Sequence, residues 1–403
     1  MPGPLTGLRV LDLTRVLAGP FCTMILSDLG AEVIKVERRE GGDLSRGSGP
    51  FLEGESYYFM SVNRGKQSIT IDLAHPDGAR ILRDLAGESD VLVENFVPGT
   101  MARFGLGYDD LKTVNSRLVY CAISGFGQTG PYARRPALDI VIQAMGGIMS
   151  ITGEPGGGPI RPGTSYGDIT AGLYAVVGVL AALQERERSG KGQLVDVPML
   201  DCQLSVLESA VGRYLSTGEV PGPVGTRHPT FTPFQAFETA DGWVVVAIVG
   251  GVQDQWPLFC SAIDHVELID DPRFGDGHQR TLNYDALIPF LTDAMRRKTT
   301  GQWLQELGEL GIACGPVNTV DKALNEPAVQ EHRLVEDAPH PRLGTVPLVR
   351  TPIGLSRTPN GPLGGPADLG QHTDELLTNL LGYEPEALTA LKGSEAIGGI
   401  EDS

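Results

Sequence analysis

The sequence predicts an α/β protein: a large Rossmann-like domain around a mostly parallel sheet, with a smaller central α/β domain set into the chain. Three observations carry this. Short β-branched runs alternate with helical patterns through the first half, a Gly- and Pro-rich break at 218–233 precedes a hairpin, and further helical stretches follow it.

Leu8–Leu13 (LRVLDL), Glu32–Val36 (EVIKV), Ser68–Leu73 (SITIDL), Asp90–Asn95 (DVLVEN) and Leu118–Ile123 (LVYCAI) read as strands. Phe21–Leu29 and Pro76–Ala86 carry apolar residues at helical spacing between them, the pattern of βαβ units. The first strand runs into Leu17-Ala-Gly-Pro20 and a helix without G-x-G-x-x-G, so the dinucleotide fingerprint is missing and NAD and FAD lose ground. Residues 153–163 (GEPGGGPIRPG) are turn-rich and deliver the chain to Gly167-Asp168, at the head of an apolar helix over Ile169–Gln184. Gly190–Met199 reads as a turn and a strand, with a helix following to about Leu215.

Beyond the break, AFETADGWVVVAIV reads as a hairpin turning at Ala240-Asp-Gly242. Helical stretches near Trp256–Ile263, Asn283–Arg297 and Gly301–Leu310 complete the second domain. The expected division is 1–215 for the first part of the large domain, 225–330 for the small one, and 331–403 for a return to the large domain and a tail. That tail is proline-rich, has a short helix near Thr373–Leu381, and ends in small and acidic residues expected to fray.

With 403 residues, 41% hydrophobic and 20% charged, the chain has ample material for a buried core and is not disordered. Its net charge of −18 argues against nucleic acid and anionic membranes as partners. The charge is uneven: residues 1–200 hold 19 Lys and Arg against 22 Asp and Glu, so an anionic ligand suits the first half better than the second. Five scattered cysteines read as free thiols of a reducing compartment, and no stretch has the pattern of a signal peptide or of 18 consecutive apolar residues. The expected location is the cytoplasm. Seven dispersed histidines without a Cys/His cluster leave no dedicated metal site.

Asp168, in Ser165-Tyr-Gly-Asp-Ile-Thr-Ala-Gly172, is the outstanding carboxylate. At a helix start it accepts backbone N–H bonds and is expected to stay ionised at pH 7, which suits a nucleophile and equally an ordinary N-cap. The glycines around it permit close approach of a thioester, and nearby N–H groups can meet an oxyanion. Arg15, Arg38, Arg39, Arg64, Lys66, Arg103, Arg134 and Arg135 fall at strand ends and loops, where an α/β sheet grips phosphates, though any one of them can be a solvated surface charge.

Several motifs then occur together: Leu5-x-Gly-Leu-Arg-Val-Leu-Asp-Leu-Thr14, Ala18-Gly-Pro20, Leu29-Gly-Ala-Glu-Val-Ile-Lys-Val-Glu37, Asn63-Arg-Gly-Lys66, Val93-Glu-Asn-Phe-Val-Pro-Gly99, Ser124-Gly-Phe-Gly-Gln-Thr-Gly-Pro131, Gly167-Asp168 and Gly192-Gln-Leu-Val-Asp196. In this order they resemble the family III CoA-transferases, the CaiB/BaiF group, down to Gly370-Gln-His-Thr373. The resemblance implies that Asp168 is the nucleophile, forming first a mixed anhydride and then an aspartyl-CoA thioester. It also implies that Val16, Ala18, Arg38, Asn95, Phe96 and Arg103 hold CoA, with Arg38 and Arg103 on phosphates and Asn95 and Phe96 at the adenine end. An interlocked homodimer, its subunits threaded through each other, is implied as well.

The racemase branch of that family carries a histidine and a glutamate where this chain has Leu138 and Gln253, neither of which titrates. Formyl-CoA transferases have a tyrosine at the Leu138 position and a glycine run where this chain has Gly225-Thr-Arg-His-Pro-Thr-Phe231. Arg227 and His228 there read either as a clamp for a substrate carboxylate, suiting a dicarboxylate, or as a rigid loop corner. Trp243 and Trp256 read as core residues. The expectation is therefore a CoA-transferase, with succinyl-CoA or another dicarboxylyl-CoA as candidate donor. An acyl-CoA racemase or epimerase, or a non-catalytic acyl-CoA-binding partner subunit, stand as alternatives.

Overall fold

A computed structural model of the chain describes residues 3–249 and 255–398. Two compact units emerge. One comprises Met1–Ile148, Arg161–Gly212 and His332–Ser403; the other comprises Met149–Ile160 and Arg213–Glu331. The Met149–Ile160 segment, which the sequence places within 1–215, therefore groups with the second unit. There Gly153, at φ +126°, accepts the Gly225 N–H at 2.8 Å.

The first unit is built on β1 (Arg9–Asp12), β2 (Glu32–Glu37), β3 (Gln67–Thr70), β4 (Val91–Glu94), β5 (Val119–Ser124) and β6 (Leu194–Pro198). They form one sheet in the order β3-β2-β1-β4-β5-β6. Every neighbouring pair is parallel, with Leu11 in register with Ile34 on one side and Leu92 on the other. The order reverses at β1, so the loops after β1 and β4 diverge to opposite faces and open a crevice at the carboxyl edge.

The helices are α1 (Ala18–Asp28), α2 (Tyr57–Asn63), α3 (Pro76–Gly87), α4 (Asp139–Met145), α5 (Tyr166–Ser189) and α6 (Met199–Ser205). Alternation along the strands feeds two cores. Val10, Val91, Val93 and Cys121 pack with α1 and α5. Leu11, Ile34, Leu92 and Tyr120 pack with α3 and with Leu376, Leu377 and Leu388 of the C-terminal helices. Burial on both faces makes these strands read as continuous apolar runs, and each large aliphatic side chain so buried contributes roughly 1.5–3 kcal/mol. Pro76 opens α3, where the His75 ring accepts the Asp77 N–H at 3.1 Å, and Ile81, Leu82 and Leu85 are its fully buried stripe.

α5 starts three residues before the predicted helix and ends five later, because Glu185–Ser189 extend it to Gly190, whose φ of +72° stops it. By length and composition α5 is also apolar enough to cross a membrane, which a search for unbroken apolar runs overlooks; half of its most apolar stretch is buried in the first core. The helix expected to reach Leu215 is two helices, Met199–Ser205 and Glu208–Thr217.

The second unit holds an antiparallel sheet of β7 (Phe234–Glu238), β8 (Trp243–Ala247) and β9 (Ala313–Pro316) with β8 central. The hairpin turns through Thr239–Gly242 as predicted; β9, four residues with two of Gly and Pro, gave no strand signal. Trp256 and Trp303 are buried in this unit's core, whereas Trp243 is half exposed, against expectation.

In the proline-rich stretch, Val335–His340 and Gly344–Val349 pair as an antiparallel ribbon. A two-stranded ribbon has only edge strands, so Pro339 and Pro347 break no inner ladder. The end of the chain is not frayed up to residue 398: Ala396 and Ile397 are fully buried, and the Gly398 N–H donates to Thr70 Oγ1 at 3.1 Å.

Candidate active site

The carboxyl edge of the first unit carries two cavities that share Arg15, Leu44 and Phe96 as walls. One, of about 330 Å³, is lined by the β1–α1 turn (Arg15 to Ala18), by Asn95 to Pro98 after β4, by Ser124 and Gly125 after β5, and by Leu138, Asp139 and Asp168. The other, of about 240 Å³, is lined by Val36 to Arg38 after β2, Asp72 to Ala74 after β3, and Phe104. Together they straddle the position where the strand order reverses, the ordinary ligand site of such a sheet.

The loop after β5 contains the chain's G-x-G-x-x-G, Gly125-Phe-Gly-Gln-Thr-Gly130, which the reading of the first turn missed. It leads into turns rather than a helix, with Gly127 and Gly130 at φ +86° and +95°, and so lacks the setting in which that pattern cradles a pyrophosphate.

Asp168 is the third residue of α5, not its cap; Ser165 stands at the cap and makes no side-chain bond there. The capping comes from outside the helix. Asp139 Oδ1 accepts the Gly167 N–H at 2.9 Å and the Asp168 N–H at 3.4 Å. Asp139 Oδ2 in turn accepts from Gln143 Nε2 at 2.7 Å and Arg161 at 3.1 Å. The Asp168 carboxylate has no donor among the described residues. Its pKa is pushed up to about 7, first by burial and then by the Asp139 charge, with Arg161 opposing. The expected backbone N–H bonds to Asp168 are absent among the described residues, because Asp139 takes the N–H groups of the helix start, and burial beside that like charge favours the protonated form.

Five of the six expected CoA-holding positions line the cavities. Val16 and Ala18 border the Asp168 cavity, Arg38 the smaller one, and Phe96 both. Arg38 Nε donates to Gly42 O at 2.9 Å, while its terminal nitrogens have no protein partner among the described residues. Asn95 also lines the Asp168 cavity, but its amide is spent on the chain: Arg15 N–H donates to Oδ1 at 3.0 Å and Nδ2 donates to Arg15 O at 2.9 Å, tying the β1 and β4 loops together. Arg103 lines neither; it is exposed beside Phe104 and donates to Thr100 Oγ1 at 3.3 Å. Leu138 lines the Asp168 cavity and is 73% exposed.

Arg227 and His228 lie in the second unit, where each is already engaged. The His228 N–H donates to Phe234 O at 2.8 Å, its ring accepts the Thr230 N–H at 3.2 Å and packs on Phe231 and Phe234, and Arg227 stacks 4.4 Å from the Tyr284 ring centre. These contacts fit a loop corner, and they leave the Arg227 N–H groups without an acceptor among the described residues. Gln253 lies outside the described residues.

Asp139, Arg161 and Tyr58 were missed as site residues. Burial and the Asp168 charge push the Tyr58 phenol up to about 12, which marks its proximity to the carboxylate. Asp139 stands directly after Leu138, but its bond to a helix 28 residues onward leaves no local pattern. Arg135, noted only as a basic residue, lines the Asp168 cavity with its guanidinium 5.3 Å from the Tyr132 ring centre, and has no acidic partner among the described residues.

Comparison with known proteins bears on this geometry. Residues 5–373 match the profile of CoA-transferase family III. The chain is 40% identical to the succinyl-CoA:glutarate CoA-transferase of Mus musculus over 98% of its own length and 90% of that protein's. It is 43% identical to the acetyl-CoA:oxalate CoA-transferase of Acetobacter aceti over 81% of its length and 83% of the relative's. A crystal structure of a CaiB/BaiF family protein from Brucella suis superposes with a TM-score of 0.84 at 38% identity, covering 94% of this chain and all of that one.

Proposed function

The chain belongs to CoA-transferase family III and moves CoA from a thioester to a free carboxylic acid; on that premise we propose that the exchange runs through Asp168 and that the acids are dicarboxylates. The observation that carries the first half is the placement of Asp168: a carboxylate without a donor among the described residues, in a cavity whose other walls are the switch-point loops. In its ionised form Asp168 attacks the donor carbonyl, giving a mixed anhydride and CoA thiolate. The thiolate then attacks the aspartyl carbonyl, releasing the donor acid and leaving an aspartyl-CoA thioester. An incoming carboxylate reverses both steps: it forms a new anhydride, and the freed thiolate takes its acyl group, which returns Asp168 to a carboxylate. One thioester replaces another, so the exchange is nearly isoenergetic. The N–H groups of Leu17 and Ala18 at the start of α1, which donate to no protein acceptor among the described residues, suit the oxyanions.

The two curated relatives name glutarate and oxalate, both dicarboxylates. Arg135 supports the same choice for this chain, since a guanidinium without a carboxylate partner among the described residues matches the second charge of such an acid. Arg38 fits the phosphates of CoA in the smaller cavity, and Phe96 fits the adenine end.

We further assign an interlocked homodimer in the cytoplasm. Supporting the dimer, α5 exposes Leu173, Tyr174 and Val177 at 47%, 41% and 63% on one side, an apolar face of the kind that a partner covers. All five cysteines are free, which suits a reducing compartment. Sedimentation at twice 42.9 kDa tests the dimer. Incubation with succinyl-CoA and a panel of mono- and dicarboxylic acids tests the activity: new dicarboxylyl-CoA, absent with Asp168→Ala, is the expected product.

A further inference from the structure

In the turn after β1, five consecutive main-chain polar groups are each held by a side chain. The Thr14 N–H donates to Asp12 Oδ1 at 2.9 Å, and the Thr14 carbonyl accepts from Lys35 Nζ at 2.9 Å. Asn95 takes both the N–H and the carbonyl of Arg15. The Val16 N–H donates to Asp43 Oδ1 at 3.1 Å. Val16 has φ +68°, a left-handed conformation that a β-branched residue adopts only where its surroundings enforce it.

Asp43 is built for that enforcement. Its Oδ1 also accepts the Ser45 N–H and hydroxyl, both at 2.9 Å, and its Oδ2 stands 2.9 Å from Lys35 Nζ, with both side chains 1% exposed. Its own N–H is held by Glu37 Oε2 at 2.9 Å, and Glu37 is paired with Arg46. Burial alone would neutralise these groups, but their mutual charges outweigh it and keep Asp43 and Lys35 ionised. A buried ion pair of this kind is weak support for stability, since an apolar pair of the same volume commonly does as well. What it supplies here is position.

We propose that the buried Lys35–Asp43 pair is the positioning device of the transfer site: it holds Val16 in its left-handed backbone and thereby fixes the wall formed by Val16, Leu17 and Ala18 that the reacting thioester meets. This rests on Asp168 being the nucleophile in the same cavity. Lys35 reaches the turn from β2 and Asp43 from the loop after it, so a single ion pair sets both ends of Thr14–Val16, and Asn95 of β4's loop closes the middle.

The test compares Lys35→Met/Asp43→Leu, an apolar replacement of the pair, with Lys35→Met/Asp43→Asn, which restores an acceptor oxygen for the Val16 N–H, and with Asp43→Glu, which keeps the buried charges paired but displaces the carboxylate by one methylene. For folded variants, the Leu and Glu forms are expected to lose roughly 10–100-fold in kcat, with KM for acyl-CoA changing by a smaller factor than kcat. The Asn form is expected to return to within about fivefold of wild-type kcat. A purely structural role would lower the melting temperature without this split or this recovery. Wild-type kcat in a folded Leu or Glu form, or an Asn form no better than the Leu form, overturns the proposal. Wild-type protein run alongside separates the claims: exchange through Asp168 with undiminished variants overturns positioning alone, whereas no exchange in wild type overturns the reading beneath it and the inference together.

Discussion

Asp139 caps the helix that carries Asp168: its Oδ1 accepts the N–H groups of Gly167 and Asp168 at 2.9 and 3.4 Å, from 28 residues earlier in the chain. The cap and the neighbouring carboxylate thus have separate duties. Had Asp168 capped its own helix, the backbone would have held its oxygens and lowered its pKa. With Asp139 in that role, the Asp168 carboxylate has no partner among the described residues, and it is partly buried and close to a like charge.

The first prediction is a pH profile. Asp168 is nucleophilic only when ionised and titrates at about 7, so kcat/KM of exchange should rise with pH and level off above that value. Asp139→Asn keeps an oxygen for the cap and removes the like charge, so the rising limb moves to lower pH; Arg161→Gln removes the opposing charge and moves it to higher pH. Initial rates from pH 5 to 9 measure this, and a flat wild-type profile contradicts it.

The second concerns stability. A carboxyl group whose folded pKa lies above its unfolded value binds more protons when folded, so its stabilising contribution is complete below pH 4 and is lost as pH rises through about 7. Asp168→Asn should therefore melt at the same temperature as wild type near pH 4 and several degrees higher at pH 8, corresponding to on the order of 2 kcal/mol for a half-buried group. Equal melting temperatures at pH 8 contradict the raised pKa.

The third concerns the nucleotide end. If Arg38 meets CoA phosphates, Arg38→Ala should raise KM for acyl-CoA about 10–100-fold and leave turnover of the matching acyl-pantetheine, which has no nucleotide, unchanged. Equal losses on both substrates would place Arg38 elsewhere in the reaction.

The fourth concerns acid choice. Arg135→Gln should lower kcat/KM for a dicarboxylic acceptor about tenfold or more relative to a monocarboxylic acid of similar length, measured as competing acyl-CoA products. An unchanged ratio would remove Arg135 from the specificity determinants.

Much of this site was legible in the sequence, for local reasons. The β-branched runs place β1 to β5, and the glycines around Asp168 mark a crowded helix start. What escaped depends on distance. Asp139 acts on residues 28 positions away, and Asp43 acts on Val16 from 27 positions away, so neither spacing has a period to betray it. Asp43 sits in Gly-Gly-Asp, which reads as a loop; only the fold brings Lys35 under it. Arg227 and His228 read as an open basic pair in a loop, and the packing of Phe231, Phe234 and Tyr284 against them appears only in the fold.

The central claim, that the acyl group and CoA pass through Asp168, is tested most directly by oxygen tracing. The protein is turned over with succinyl-CoA and an acceptor acid whose carboxylates carry ¹⁸O, then digested for mass spectrometry of the peptide containing Asp168. Cleavage of the second anhydride leaves one acceptor oxygen on the aspartate, so the account predicts a peptide heavier by one ¹⁸O after a single turnover and by two as turnovers accumulate, with the label on Asp168. New acyl-CoA formed while Asp168 stays unlabelled would contradict it.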